Sequence, residues 1–332
     1  MATGFAFFAF IVGGGVSLGT SWVLVSRLER IGERFGFSEA LLGLVAALAA
    51  DAPEITSAIT ALIHHERAIG AGVVIGSNVF NLAGLLGLGA VVAGRIVLHR
   101  KVVILTGFVA LWIAVTCLAS VAGSASPGTG LGLAFAVLSP YVVVLGARRT
   151  TRPSSLLPRQ WSGWLLSAVV EEELELVEAI RPQRARPRDA LTASLALIAV
   201  VGASVAMERG ASTLGRHFAV SGIVIGALVL AAVTSLPNVV AAVYLAARGR
   251  GAATMSTALN SNSLNVVAGL LVPAMVTGLP HPSGATNLVA AWYVGLTALT
   301  LTLAFSDRGL RRRAGWIIIG GYAAFVVAVL WS

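Results

Sequence analysis

The sequence predicts an all-α membrane protein with about ten transmembrane helices in two inverted-topology five-helix repeats. Three observations lead to this prediction. The chain is too apolar for a soluble domain, its basic residues fall in alternate loops, and its two halves align with each other. The composition indicates a lipid environment, the basic loops indicate the orientation in the membrane, and the aligned halves indicate an internal repeat.

The composition indicates that lipid surrounds most of the chain. Of 332 residues, 57% are hydrophobic and 11% are charged, and the mean hydropathy is +0.89; in soluble proteins about a quarter of residues are charged. A span needs about 20 mainly apolar residues. Ten stretches qualify, at residues 4–26, 38–63, 68–93, 102–122, 129–147, 190–207, 218–246, 252–277, 288–305 and 315–332. The first is expected to be a true span, because residues 1–10 lack the basic segment of a signal peptide.

The basic residues predict the orientation. If the N-terminus is outside, 20 of the 23 lysines and arginines lie in inside loops, and only Arg67, Arg209 and Arg216 lie outside. A loop bias of this kind sets orientation. The formal net charge of +9 is spread over five loops, so it does not form the single basic stripe of a nucleic-acid-binding protein. We therefore expect no nucleic acid among the partners.

These patterns also suggest a domain organisation and a location. We expect a first repeat at 1–147, a cytoplasmic central loop at 148–189 and a second repeat at 190–332. The central loop contains an amphipathic segment suited to the membrane surface. Its acidic run, Glu171–Glu178, is interpreted as a solvated face in preference to a cation sensor. The use of 22 arginines against one lysine suits a high-GC genome, so a prokaryotic plasma (inner) membrane is predicted.

The internal repeat appears at an offset of 184 residues, which aligns 36–90 with 220–274. Polar and proline positions match without a gap: Pro53 with Pro237, Ser77 with Ser261, Asn78 with Asn262, and Asn81 with Asn265. The loop inside the first copy lies outside in this topology, whereas the matching loop of the second lies inside. Inverted repeats with interrupted helices are typical of secondary transporters.

Two acidic residues, Asp51 and Glu54, are the only ones of 14 predicted to lie well inside a span. Charged groups at this depth are costly and normally face a bundle interior or an aqueous pathway. Their spacing of three puts them on one helical face. Pro53, between them, removes a backbone hydrogen bond to a preceding carbonyl, so freed carbonyls near Ala47 to Ala50 could join the carboxylates as ligands. The alternative is a polar kink that neighbouring Asn and Ser side chains seal without an ion.

Hydroxyl and amide groups at matching positions of both repeats complete the candidate site. Ser77 and Asn81 share a face of the third predicted span. The second repeat offers Thr234, Ser235, Asn238, Ser261 and Asn265. Asn78 and Asn262 could equally pack helices together, whereas Asn81 and Asn265 are favoured as ligands.

The pair of repeats resembles the alpha repeats of sodium/calcium exchangers, members of the cation/calcium exchanger superfamily. Gly76–Asn81 reads G-S-N-V-F-N, Ala50–Glu54 keeps the Pro-Glu of the first repeat, and Thr234–Pro237 reads T-S-L-P. The resemblance implies a cation antiporter of alternating access with oxygen ligands from spans two, three, seven and eight. Carried over by position, these ligands are the Ala47 carbonyl, Glu54, Ser77, Asn81, the Ala231 carbonyl, Thr234, Ser235, Asn238, Ser261 and Asn265.

The sequence departs from that family at the charged positions. Asn238 stands where the family usually has Glu, Asn265 commonly replaces an Asp, and Ala50 and Asp51 replace small hydroxyl residues. Both carboxylates therefore lie on one helix, with a formal charge of minus two if both ionise. Calcium affinity falls as neutral ligands replace charged ones, so coupling to protons, sodium or another cation stays open.

We therefore expect a transporter that is not an enzyme and has no cofactor beyond the transported cations, Ca²⁺, Na⁺ and/or H⁺. Metal contacts are expected foremost from Asp51, Glu54, Asn81 and Asn265. The expected partners are inorganic cations and the lipid bilayer, and a homo-oligomer is left open. The runner-up function is a transport-inactive membrane scaffold or regulator. His64–Glu66 is interpreted as an exposed turn in preference to a weak metal site.

Overall fold

The computed structural model describes residues 3–34, 47–98, 100–146, 187–249 and 251–332. The helices are α1 (Thr3–Arg34), α2 (Ala52–Ile63), α3 (Arg67–Asn81), α4 (Gly89–Ala93), α5 (Arg100–Val121), α6 (Pro127–Gly146), α7 (Pro187–His217), α8 (Gly222–Val224), α9 (Ala231–Ala247), α10 (Gly251–Leu264), α11 (Val272–Thr277), α12 (Gly284–Ser306) and α13 (Arg312–Leu330). The π-helical stretches π1 (Leu82–Leu88), π2 (Ile225–Leu230) and π3 (Asn265–Leu271) join α3 to α4, α8 to α9 and α10 to α11. Two short strands are β1 (Arg95–Val97) and β2 (Gly309–Arg311).

The prediction of an all-α membrane protein is confirmed. Within the described residues, eight helical stretches are long and apolar enough to cross a membrane. They are Thr3–Leu28, Arg67–Ala93, Val103–Val121, Arg188–His217, Gly222–Ala247, Thr254–Thr277, Gly284–Ser306 and Arg312–Leu330. Helices α2 and α6 occupy the two remaining predicted positions without being among these eight. The predicted features of residues 147–186, including Glu171–Glu178, and the start of the second span lie outside the described residues.

One boundary in the prediction is wrong. The sixth span was predicted to end at residue 207, yet α7 continues as a helix to His217. Glu208 therefore lies within a helix and is 1% exposed, and Arg209 and Arg216 belong to the same helix instead of a loop. The charged side chains were interpreted as a loop signal, but a helix accommodates them where they can face other polar groups.

The centre of the molecule is the long stretch from α3 through π1 to α4. Of its most apolar part, 89% is buried, compared with 28% for the α1 stretch and 33% for the α7 stretch. Helices α1 and α7 pack against each other at the periphery. Ser17 and Ser204 form a hydrogen bond of 2.8 Å across their interface. The central stretch therefore supplies the rigid part of the fold on which the polar site is built.

Close backbone contact holds α3 against π2. A Cβ added at Gly76 would lie 2.3 Å from the Ala227 carbonyl oxygen, and one added at Gly226 would lie 2.3 Å from the Ile69 carbonyl oxygen. No other residue fits such an approach without moving the helices apart. Gly76 is the first residue of the G-S-N-V-F-N motif. This packing therefore fixes the position of the following polar residues relative to π2.

The two repeats share a helical irregularity at the final asparagine of the aligned motif. In the first repeat π1 follows Asn81, and in the second π3 begins at Asn265, the residue 184 positions later. π-Helical insertions are frequent at functional sites because they displace side chains from the α-helical register. Their matching positions support the internal symmetry.

A small strand pair was not predicted. β1 and β2 run antiparallel, with Arg95 opposite Arg311, Ile96 opposite Leu310 and Val97 opposite Gly309. The pair joins the segment after α4 to the segment before α13, more than 200 residues apart in the chain. It ties the two repeats together at one end of the bundle.

Candidate cation site

The helix break at Asp51 follows from Pro53. Pro53 has no N–H to donate to the Ala49 carbonyl four residues earlier, and Ser21 of α1 donates to that carbonyl instead, at 3.2 Å. Residues 47–50 are helical, Asp51 forms a turn, and α2 begins at Ala52. The freed carbonyl that the sequence predicted is therefore present at Ala49, but it already accepts a hydrogen bond from Ser21 of α1.

Asp51 is fully buried and contacts the second repeat through one carboxylate oxygen. Oδ1 accepts hydrogen bonds from Asn238 Nδ2 at 2.8 Å and from Ser261 Oγ at 2.6 Å. Oδ2 is buried and has no hydrogen-bond partner among the described residues. One oxygen of this carboxylate is thus fixed, and the other is left with its lone pairs open.

Glu54 is also fully buried, but both of its oxygens are occupied. Oε1 accepts a hydrogen bond from Ser235 Oγ, and Oε2 accepts one from Asn265 Nδ2 at 2.8 Å. Both donors belong to the second repeat. The two carboxylates, one in α2 and one in the turn before it, are therefore held by four donors from α9, α10 and π3, as expected for acids that face a bundle interior.

A pair of asparagines fixes the two repeats against each other with two-fold pseudosymmetry. Asn78 Nδ2 donates to the Asn262 carbonyl and Asn262 Nδ2 donates to the Asn78 carbonyl, each at 3.0 Å. Their side-chain oxygens accept from the next asparagines: Asn262 Oδ1 from Asn81 Nδ2 at 3.0 Å, and Asn78 Oδ1 from Asn265 Nδ2 at 3.3 Å. Both ends of Asn78 and Asn262 are therefore used in joining helices.

Asn81 and Asn265 also donate through their side-chain amides, but within the described ranges their side-chain oxygens are not engaged as those of Asn78 and Asn262 are. Their Nδ2 groups donate, Asn81 to Asn262 and Ser261, and Asn265 to Glu54 and Asn78. Their Oδ1 atoms are buried without a hydrogen-bond partner among the described residues, as is Ser77 Oγ. Because the amide donors are committed, the oxygens are the atoms left to bind something else.

Three carboxylate and amide oxygens of this cluster are therefore buried and have no donor among the described residues: Asp51 Oδ2, Asn81 Oδ1 and Asn265 Oδ1. Buried polar atoms are normally paired, and acceptors without donors are completed by a cation or by water. Carboxylate and amide oxygens are ligands of calcium and other hard cations. The chemistry of these oxygens suits a cation site at the contact between the two repeats.

The remaining predicted ligands, Thr234 and the carbonyls of Ala47 and Ala231, already form hydrogen bonds within their own segments. Thr234 Oγ1 donates to the carbonyls of Leu230 and Ala231 in its own helix, at 2.9 and 3.3 Å. The Ala47 carbonyl accepts the Asp51 N–H at 2.9 Å. A carbonyl oxygen has two lone pairs, so the Ala47 carbonyl can accept a second partner.

Sequence reasoning missed two hydroxyls beside the predicted set. Ser21 donates to the Ala49 carbonyl. Ser57, one turn after Glu54, is buried, and its Oγ has no hydrogen-bond partner in the part of the chain that the structure describes. Ser57 aligns with Ala241 in the second repeat, so the comparison of repeats gave it no weight. Its spacing of three from Glu54 was the signal that could have found it.

The turn at His64–Glu66 is joined to α7. Glu66 accepts hydrogen bonds from Ser212 Oγ and from the guanidinium of Arg216, and Arg209 contacts His64 Nε2 at 3.1 Å. Within the described residues, no group of three or more His, Cys, Asp or Glu side chains could hold a metal ion. The interpretation of an exposed turn is therefore refined to a turn held by an ion pair.

Comparison with known proteins identifies the family. A profile of the sodium/calcium exchanger protein family matches residues 5–148 and 190–331, which is most of the chain. The chain belongs to this family. The family consists of transporters, and the resemblance seen in the Gly76–Asn81 and Ala50–Glu54 motifs is confirmed.

Relatives of this family member include membrane proteins of bacteria. It is 27% identical over 254 residues to the inner membrane protein YrbG of Escherichia coli (strain K12), covering 73% of this chain and 71% of that protein. It is 31% identical over 88 residues to the putative antiporter CaxA of Alkalimonas amylolytica, covering 26% and 28% of the two chains. This exchanger-family protein is thus a multi-pass membrane protein similar to one of a bacterial inner membrane.

Solved exchanger structures share its fold. The crystal structure of the H⁺/Ca²⁺ exchanger CAX superposes with a TM-score of 0.70 at 14% identity, covering 98% of this chain and 86% of that one. A structure of the sodium-calcium exchanger NCX_Mj gives a TM-score of 0.60 at 20% identity, covering 98% and 99%. The all-α exchanger fold predicted from the repeats is therefore confirmed.

Proposed function

We propose that this protein is a secondary active cation antiporter that alternates access around a midplane site formed by Asp51, Glu54 and the facing amides. The observation that carries the proposal is the set of donor-free buried oxygens, Asp51 Oδ2, Asn81 Oδ1 and Asn265 Oδ1. A transporter of this design binds one ion or its counter-ion at the interface of two inverted repeats, and the repeats move to open it on either side. Competition for one site couples the two fluxes.

The substrates proposed are calcium, sodium and protons in some pairing. Two structural neighbours are exchangers of calcium for protons and of calcium for sodium. The carboxylates supply the charge and the amides supply neutral oxygens that calcium also accepts. In the membrane, we propose an N-terminus outside and a cytoplasmic central loop, as the arginine distribution predicts.

The second candidate function is a transport-inactive scaffold. It is favoured by the four donors that already hold Asp51 and Glu54, since a sealed polar kink would make such contacts. Asp51 Oδ2 argues against the scaffold, because it is buried and has no donor among the described residues. In a purely structural kink, a buried carboxylate oxygen would be expected to have a hydrogen-bond partner.

Uptake of radioactive calcium into proteoliposomes separates the two functions. Uptake driven by an outward sodium or proton gradient is expected for the wild-type protein and is expected to fall at least about tenfold in Asp51→Asn with Glu54→Gln. Ser306→Ala, at an exposed helix end, serves as the control. Unaltered transport in the double variant would remove Asp51 and Glu54 from the site, and no flux with any cation pair would support the scaffold.

A further inference from the structure

We propose that one end of the bundle binds the phosphate headgroup of an anionic phospholipid. The binding surface is a cluster of exposed arginines around the β1–β2 pair, which we call the arginine corner: Arg95, Arg308, Arg311, Arg312 and Arg313. It lies on the side of the membrane that the arginine distribution predicts to be cytoplasmic. Lipid binding at this corner is separate from the proposed antiport, because it can be measured without transport.

The strand register places two of these arginines side by side. Arg95 of β1 lies directly opposite Arg311 of β2, and residues opposite each other in a sheet point to the same face. On the other face Ile96 and Leu310 are buried, so both arginines point away from the protein core. Like charges directly opposite each other destabilise a strand pair. An anion bound between them would offset this repulsion.

The start of α13 adds to the positive charge. Arg311 is the N-cap of this helix, Arg312 and Arg313 are its first two residues, and no acidic residue lies in its first turn. The N-terminus of a helix carries a partial positive charge, which favours anions and disfavours cations. Three arginines at this position are therefore unfavourable by themselves, and a negatively charged group beside them is favoured.

The protein supplies little negative charge at the corner. Asp307 lies next to it, with its Oδ2 at 3.6 Å from Arg311 Nε and its backbone carbonyl accepting a hydrogen bond of 3.4 Å from Arg95. The other three arginines form no ion pair in the part of the chain that the structure describes. Five arginines and one aspartate leave a formal charge of +4 at this corner.

One of the arginines is already held in position. Arg312 Nε donates to the Val91 carbonyl at 3.1 Å, and its backbone N–H donates to the Gly94 carbonyl at 2.9 Å. A guanidinium has five N–H donors, and the four on the terminal nitrogens of Arg312 form no hydrogen bond with the described residues. Arginine can donate two parallel hydrogen bonds to a phosphate group, so a headgroup would meet a guanidinium whose position is fixed.

The surface beside the corner is apolar, which favours a lipid over a soluble anion. Trp316 follows Arg312 by one turn of α13 and is 59% exposed, and Phe305 at the end of α12 is exposed as well. Tryptophan on spanning helices is enriched at the level of the lipid headgroups. A phospholipid can place its phosphate on the arginines and its acyl chains along this surface, whereas a soluble anion uses the arginines alone. Anionic lipids attract basic segments next to spanning helices.

A role in membrane insertion does not account for this arrangement. Arginines in short loops set the orientation of a membrane protein through their number in each loop. That role does not require β1 to bring Arg95 against Arg311, which lies more than 200 residues further along the chain. The folded position of these two side chains therefore points to a ligand of the mature protein.

The test is stabilisation of the purified full-length protein by lipid. Thermal unfolding would be followed in neutral detergent with phosphatidylcholine, phosphatidylglycerol or inorganic phosphate at equal concentrations. Phosphatidylglycerol is expected to raise the unfolding midpoint by about 3 °C or more beyond phosphatidylcholine, and inorganic phosphate by less than about 1 °C. Arg95→Gln with Arg311→Gln is expected to lose most of the phosphatidylglycerol effect.

The variants have a second readout and a matched control. Without anionic lipid, the midpoint of the double variant is expected to equal or exceed that of the wild type, because a like-charge pair has been removed. Arg313→Gln, at an exposed position, repeats the lipid comparison should the double variant not fold. Arg188→Gln is the control, since Arg188 is an exposed arginine in the first turn of α7, where Asp189 supplies an acid. It is expected to keep the full phosphatidylglycerol effect.

Each outcome decides the proposed site. A phosphatidylglycerol effect that the corner variants lose and Arg188→Gln keeps supports it. No such effect in the wild type, an equal effect in all variants, or an equal loss in Arg188→Gln overturns it. A shift with inorganic phosphate as large as that with phosphatidylglycerol overturns the assignment to a lipid. Calcium flux decides the proposed antiport separately.

Discussion

At the scale of residues, the two carboxylates differ in how the structure uses them. Glu54 has a donor on each oxygen, whereas Asp51 has two donors on Oδ1 and, in the described part of the chain, none on Oδ2. Glu54 is therefore the better fixed of the two, and Asp51 offers the open carboxylate oxygen. The residue that departs from the usual exchanger motif is thus the one that offers an open carboxylate oxygen to the proposed cation.

Ser261 joins the two halves of the site and gives a first prediction. It donates to Asp51 Oδ1 at 2.6 Å and lies 3.4 Å from Asn81 Nδ2. Ser261→Ala is expected to weaken calcium or competing cation affinity about tenfold or more, since hydrogen bonds to charged groups are among the stronger ones. The measurement is the concentration dependence of transport.

Ser263→Ala is the matched control for that experiment. Ser263 is a buried serine of the same helix, but its hydroxyl bonds to the Leu259 carbonyl one turn earlier. It is expected to leave the apparent affinity within about twofold of the wild type. Equal losses in both variants would show that Ser261 acts only through helix packing.

Asn78 gives a prediction on stability. Its side chain bonds to the Asn262 carbonyl and accepts from Asn265. Asn78→Ala is expected to lower the free energy of unfolding by about 1–3 kcal/mol because it leaves buried polar groups unpaired. Thermal unfolding in detergent measures this loss, with Asn287→Ala as control, since Asn287 Oδ1 has no hydrogen-bond partner within the described ranges. A larger loss in the control would contradict the role given to Asn78.

At the scale of elements, the contact between α3 and π2 determines where the polar residues meet. Gly76→Ala would place a methyl group 2.3 Å from the Ala227 carbonyl oxygen, and overpacking of this kind costs about 1–3 kcal/mol. Gly15→Ala, on α1, meets nothing within 4 Å and is expected to be neutral or slightly stabilising. Thermal unfolding of both variants checks the difference, and equal stability would contradict the close packing.

The elements also show what could be predicted from the sequence and what could not. The apolar runs and the repeat predicted the helices and brought together Asp51, Glu54, Asn81 and their partners. The extension of α7 to His217 was missed because charged residues were taken as a loop signal. The β1–β2 pair depends on contacts between three-residue segments far apart in the chain, for which no local pattern exists.

The sequence also could not predict which atoms of the asparagine side chains form hydrogen bonds. The sequence left open whether Asn78 and Asn262 pack helices or bind ions. The structure shows both ends of these side chains engaged between repeats, which favours packing. For Asn81 and Asn265, which were expected to be ligands, the structure leaves the oxygens open.

At the scale of the whole molecule, the proposed orientation can be tested with single cysteines. In a Cys117→Ala background, Ser124→Cys and Ser306→Cys each place a thiol at an exposed position. A membrane-impermeant maleimide added to intact cells is expected to label Ser124→Cys and to label Ser306→Cys only after the membrane is opened. The reverse pattern would contradict the N-outside topology.

The central claim is that a cation binds between the two repeats at the open oxygens of Asp51, Asn81 and Asn265. Anomalous diffraction from crystals soaked with strontium, and separately with thallium as a monovalent probe, tests it most directly. At least one map is expected to show a peak within about 2.3–3 Å of Asp51 Oδ2, and Asp51→Asn is expected to lose it. Maps with no peak at this cluster, or with peaks only at other places in the protein, would contradict the claim.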